Sequence, residues 1–135
     1  MMDIKQTYYD IGNAVKGVCD KVYAMERPKS VQDRPDSYTV VSFPSQIYNN
    51  ELDDDGRYND YTTTVKVELY VRDSVSARNP NGVRVDVLSD KVGQALSRFP
   101  VVTANIVASN ARVTLQTDDG DGFAVAIIQA DVRTR

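Results

Sequence analysis

Two acidic runs hold the residues in this chain whose types and spacing could do chemistry. The first is Glu51-Leu52-Asp53-Asp54-Asp55-Gly56, followed by Arg57 and Asp60; the second is Asp118-Asp119-Gly120-Asp121-Gly122. Oxygen ligands ending at a glycine invite a calcium reading. An EF-hand loop, however, wants Asp at its first position, Glu at its twelfth and a helix on either side. Here those positions are Glu51 and Thr62, and the flanks read as strands. The second run has no distal Glu and reads as the tip of a hairpin, its glycines allowing positive φ. General acid–base work needs a carboxyl whose pKa is raised in an apolar pocket. Carboxylates in glycine-flanked polar loops are ordinarily solvated.

Other chemistry has little to stand on. The chain has no His, so His-based triads, general bases and metal sites are not expected. Its single cysteine, Cys19, offers neither a zinc cluster nor an intramolecular disulfide, and fits a reducing compartment. Cys19 reads as a small buried filler beside a helical stripe, since a reactive thiol wants a basic neighbour such as His. No Walker-type loop occurs, and no Gly-x-Gly-x-x-Gly follows a strand. The expectation is a protein without catalytic residues, cofactor or metal. The more telling surplus is tyrosine, with 8 residues. Tyr48, Tyr58 and Tyr61 gather near the first acidic run, and tyrosine favours interfaces.

Composition bounds the class. At 135 residues, 41% hydrophobic and 26% charged, the chain reads as one globular domain over residues 1–135. No apolar run approaches the ~20 residues of a membrane span, and no signal peptide is expected. The net charge of −3 is uneven: residues 51–60 net −4 and 118–121 net −3, leaving the rest at +4. That is not the basic stripe of a nucleic-acid binder.

The elements that must position these runs follow from periodicity. Tyr61 to Arg72 alternates strictly, with Tyr61, Thr63, Val65, Val67, Leu69 and Val71 on one face and Tyr70 and Arg72 among the other. Twelve residues of β-branched and aromatic alternation predict a central antiparallel strand about twice the usual length. Ile4, Tyr8, Ile11, Val15, Val18, Val22 and Met25 step by three and four, predicting a helix over 3–26 with Asp3 as N-cap, Gln6 as capping-box partner and Pro28 as the stop. Residues 27–36 read as a polar linker and Ser37–Phe43 as a short strand. Residues 44–60 read as a long polar loop, of a length that is generally functional or disordered. Val85, Leu88, Val92, Leu96 and Phe99 predict a second helix over 82–98. Val101–Ala108 is apolar without a pattern and reads as a short strand or an extended lead-in, Arg112–Thr117 alternates with Val113 and Leu115 inward, and Gly122–Val132 reads as a closing strand. The expected order is α-β-β-α-β-β. It implies an α+β two-layer sandwich, an antiparallel sheet of about four strands with two helices on one face.

This arrangement resembles the tail terminator (tail completion) proteins of long-tailed bacteriophages and the related small neck proteins. The carriers are the N-terminal helix, the Tyr38–Pro44 strand and its polar loop, the threonine-rich strand Tyr61–Arg72, the helix around Asp86–Val92 and the closing strand Ala124–Arg135. The resemblance spans nearly the whole chain and is one of layout and size, with no diagnostic short motif. It implies a homohexameric ring that caps the finished tail tube, joins it to the head–neck connector and lets DNA pass without sequence-specific binding. The location it implies is the virion neck, after assembly in the host cytoplasm. On that reading Glu51, Asp53, Asp54, Asp55, Arg57 and Asp60 belong to a lumen or inter-subunit loop. Asp118, Asp119 and Asp121 form a hairpin-tip contact, and Tyr61, Thr63, Tyr70 and Arg72 an inter-subunit strand. Another connector or neck adaptor is the nearest alternative, and a small cellular α+β ligand-binding module the more distant one. A tube protein would show more strand and less helix.

Overall fold

The computed structural model describes residues 3–52, 58–72, 83–116 and 120–134. The threonine-rich alternation becomes β4 (Tyr58–Arg72), 15 residues long and the spine of the fold. Its odd-numbered positions Thr63, Val65, Val67, Leu69 and Val71 are buried, as period-2 sterics require of a strand with one face on the core. Along one side it pairs antiparallel with β7 (Phe123–Thr134), over Thr62–Arg72. Along the other it pairs with β2 (Ser37–Ser42) at one end and β3 (Tyr48–Leu52) at the other. β6 (Ile106–Gln116) lies outside β7, and the two-residue β5 (Val101–Val102) outside the start of β6.

This corrects the expected architecture. Among the described residues seven strands form one mixed sheet, in the order β1-β2-β4-β7-β6-β5 with β3 beside β4. It is not a four-stranded antiparallel sandwich in the order α-β-β-α-β-β. Two misread segments account for β1 and β3, while β5 and the start of β6 fall in the patternless stretch Val101–Ala108. The first helix, α1, spans only Ile4–Val15. Gly17 follows at φ 88°, a left-handed position that ends a helix and suits glycine. The apolar steps that continued to Met25 belong instead to a turn and to β1 (Lys21–Ala24). Val18 is buried in the turn and Val22 is half-buried in the strand, so helical spacing arose from two unrelated elements. The second misread segment is the supposed loop 44–60, whose ends are β3 and the first residues of β4.

β1 pairs with β2 in parallel, which makes the sheet mixed. Adjacent parallel strands need a crossover of about a dozen residues. The polar linker supplies it, running from Met25 to Asp36 with a single 3-10 turn at Val31–Asp33. The helices, α1 and α2 (Val83–Leu96), pack on the opposite face over Val65, Val67, Leu69, Ala126 and Ile128. α1 touches β1 and β2 at one end of the sheet and β5 at the other, so the sheet curls around it. Asp3 caps α1 as expected, its Oδ1 accepting from the Gln6 N–H at 3.0 Å. Gln6 turns its own amide to Asp10 instead (3.0 Å) and does not close the capping box. At the other end of α1, Arg98 donates to the Ala14 and Lys16 carbonyls at 3.0 and 3.1 Å, and Lys91 to Val18 O at 2.7 Å. Arg98 thus satisfies carbonyls that a helix C-terminus leaves over, and Lys91 holds the turn that follows.

Candidate functional site

The residues singled out from sequence fall into three places. Asp53, Asp54, Asp55, Arg57, Asp118 and Asp119 lie outside the described residues. The β3–β4 register sets Glu51 opposite Asp60, so these two acidic positions share one hairpin. Tyr61 and Thr63 look inward on β4. The Tyr61 ring packs against the main core, and the Thr63 hydroxyl donates to Gln46 O at 3.0 Å.

Tyr70, Arg72 and Asp121 meet on the face away from the helices, beneath the crossover. Tyr70 stacks on Tyr38 at 4.5 Å between centroids, and Phe123 stands edge-on to Tyr38 at 5.2 Å. Three arginines fasten the crossover over these rings. Arg34 is buried; its guanidinium donates to the Pro28 and Lys29 carbonyls at 2.7 and 3.2 Å and to Asp121 Oδ2 at 3.1 Å. Arg27 sits 4.7 Å from the Tyr70 ring centroid and 3.6 Å from the same Asp121 oxygen. Arg72 lies 4.8 Å over Phe123, pairs with Asp36 at 3.2 Å and donates to the Val31 and Arg34 carbonyls. Planar guanidinium groups do this better than lysine because they fork to two acceptors while stacking on a ring. Burial, then the hydrogen bond from the Tyr70 hydroxyl to Glu68 Oε2 at 2.6 Å, push the Tyr70 phenol well above its usual range. Such a phenol is a fixed donor at neutral pH. The cluster closes the second face, and its groups are spent on one another.

The opposite face carries an open feature. A groove of about 880 Å³ runs between α1 and β1, with Ile4, Tyr8 and Tyr9 on the helix side and Val22 and Ala24 on the strand side. Ile4 and Tyr9 are 48% and 56% exposed, which is high for apolar side chains on one helix flank. Lys5, Lys16 and Lys21 also line it, against Asp20. Cys19 forms part of its wall, and burial pushes the thiol up, away from the thiolate that reactivity requires. β1 is the last strand on this side of the sheet.

The far side of the sheet also ends in an edge among the described residues. β5 covers only Val107 and Ala108 of β6, so Arg112–Gln116 is an edge. Between Ser109 and Arg112 the register slips by one residue, with Asn110 at φ 57°. This bulge reverses the alternation of the strand. Before it Ile106 and Ala108 face the helices; after it Val113 and Leu115 do, opposite Ile128 and Ala126. They were expected inward. They do share the helix side, yet Val113 is 38% and Leu115 66% exposed.

Neither edge was legible beforehand. Val18, Val22 and Met25 continue the spacing of α1 and hide β1, and the change of parity at Asn110 hides the continuity of β6. The signals were Gly17 for the first and a switch from even to odd apolar positions for the second. Among the described residues no group of three or more His, Cys, Asp or Glu could hold a metal ion, and no described helix is long and apolar enough to cross a membrane. No protein-family model and no curated protein sequence matches the chain.

Proposed function

We propose that the chain is a structural subunit of a ring at the head-proximal end of a phage tail, where it ends the tail tube and joins it to the neck. One observation carries this reading: the two bare edges of a single sheet, β1 and the outer half of β6, are different from each other and lie on opposite sides. A subunit with two unlike adhesive sides assembles head to tail, and head-to-tail contacts close into rings when the rotation closes. Six subunits, a tube protein below, a connector above and DNA through the lumen come from the family resemblance. The acidic run at 51–60 fits a lumen, since carboxylates repel phosphates and keep DNA from adhering; it nets −4 in each copy.

The test is to mix purified protein with uncapped tail tubes and image the ends. Rings at one end of each tube support the reading, and bare ends with rings bound to connectors favour the adaptor. Replacing Asp53, Asp54 and Asp55 by Asn is expected to impair DNA passage or retention while rings still form. Failed assembly would place that loop in an interface. A second reading, a small ligand-binding module, is favoured by the volume of the α1–β1 groove, which matches that of small-molecule sites. A metabolite that raises the melting temperature of a stable monomer would support it and overturn the ring.

A further inference from the structure

We infer that the ring seam is a continuous β-sheet, in which the outer half of β6 from one copy pairs antiparallel with β1 of the next and seats Leu115 in the α1–β1 groove. This inference rests on the ring reading and specifies its contact.

The registers make the two edges match. Following paired residues across the sheet, Val22 lies level with Thr39, Leu69, Ala126 and Leu115, and Ala24 with Val41, Val67, Ile128 and Val113. Lys21 is likewise level with Gln116. The two edge segments therefore lie on the same register rows at opposite sides of one sheet. The rotation that relates neighbouring copies in a ring then pairs Leu115 of one with Val22 of the next by continuing these register rows across the seam.

Direction and face agree as well. β1 runs parallel to β2, and β2, β4, β7 and β6 alternate, so β6 and β1 point in opposite senses. The same rotation preserves strand direction, so the seam is an antiparallel pair, the more stable kind. Val113 and Leu115 project on the helix side, and the groove opens on that side too, beneath Ile4 and Tyr9. Without the bulge at Asn110 these two side chains would point to the other face.

Charge favours the same occupant. The groove holds Lys5, Lys16 and Lys21 against Asp20. Two residues beyond Gln116 the sequence reaches Asp118 and Asp119. Finally, Arg112-Val-Thr-Leu-Gln116 lacks the lysine, proline or inward charge with which monomers blunt an edge strand along its length. Its single charge, Arg112, is drawn to Asp131 at 3.1 Å.

The test is disulfide trapping in a Cys19→Ala background, with Lys21→Cys and Gln116→Cys combined. Cross-strand partners lie ~4.5–5.5 Å apart at Cα, within disulfide reach. Oxidation of the double variant is expected to give a covalent ladder ending at the ring, while neither single variant gives more than monomer. Leu115→Lys, at an exposed position, is expected to keep the fold and weaken assembly at least about tenfold, the equivalent of one unburied leucine. Dimers from Gln116→Cys alone would overturn the seam in favour of a β6–β6 pair. Wild-type rings with no ladder from the double variant would overturn the seam and leave the ring reading standing. A ladder that grows into open filaments would uphold the seam and overturn the ring. A monomer giving no ladder, alone and with uncapped tail tubes, overturns both.

Discussion

Arg34 shows how a surface-type residue becomes structural. Its guanidinium is buried with two carbonyls and the Asp121 carboxylate as acceptors, so truncation removes charge-assisted hydrogen bonds and leaves the acceptors desolvated. Arg34→Ala is expected to lower stability by about 3 kcal/mol in urea unfolding, and Arg34→Lys to recover only part, since an ammonium does not fork. Tyr70 gives a pH signature. Its phenol titrates higher in the folded protein than in the unfolded chain, through burial and the Glu68 hydrogen bond. The stability it contributes is therefore complete below about pH 10 and is lost as pH rises from there toward the folded value. Melting temperature is expected to fall more steeply above that pH in the wild type than in Tyr70→Phe. Neither role was legible in sequence. Tyr70 and Arg72 sit on the polar-looking face of an alternating strand, and only the crossover of Met25–Asp36 explains why that face is covered. Asp121, read as a hairpin-tip contact, is held by Arg34 and Arg27 from a segment that sequence spacing did not connect to it.

At the scale of elements, single backbone positions decide what periodicity leaves open. β4 and α2 were legible because each keeps one period along its whole length: β4 was expected over 61–72 and spans Tyr58–Arg72, and α2 was expected over 82–98 and spans Val83–Leu96. α1 was overextended because Val18, Val22 and Met25 continue its spacing, while Gly17 at φ 88° outweighs it. Gly17→Ala is expected to cost about 1–2 kcal/mol by chemical denaturation through left-handed strain alone, as no atom lies within 4 Å of the added methyl. Asn110 plays the matching part in β6. Its positive φ admits the bulge, and its amide holds Asp131 at 3.0 Å. The Asn110 hydrogen bond, then Arg112, holds the Asp131 carboxyl below its usual range, so this pin contributes above the ordinary carboxylate pKa and loosens as pH falls through the lowered one. Asn110→Val, a β-branched residue at φ 57°, is expected to destabilise by about 1–2 kcal/mol. Asn110→Gly is expected to retain the fold, and circular dichroism melts separate the two.

At the scale of the whole molecule, the sheet is finished in the middle and unfinished at its sides. β4 and β7 are paired along nearly their full length, both faces of the central strands are covered, and the polar loose ends of α1 are tied to α2. Among the described residues the open features include the groove beside β1 and the outer half of β6. The acidic runs read as loops in the sequence, yet Glu51 lies in β3 and Asp60 in β4, while Asp53, Asp54, Asp55, Asp118 and Asp119 lie outside the described residues. The adhesive edges could not be read there, because an edge is a property of strand order, and strand order follows from the parallel β1–β2 pair that Gly17 makes possible.

The ring itself is the central claim, and native mass spectrometry of the purified protein across concentration, with negative-stain imaging of the same samples and of samples containing uncapped tail tubes, tests it most directly. The account predicts closed six-membered rings with a hole wide enough for duplex DNA, formed alone or on tube ends. A monomer that leaves tube ends bare, or a compact two-fold dimer at every concentration, would contradict it.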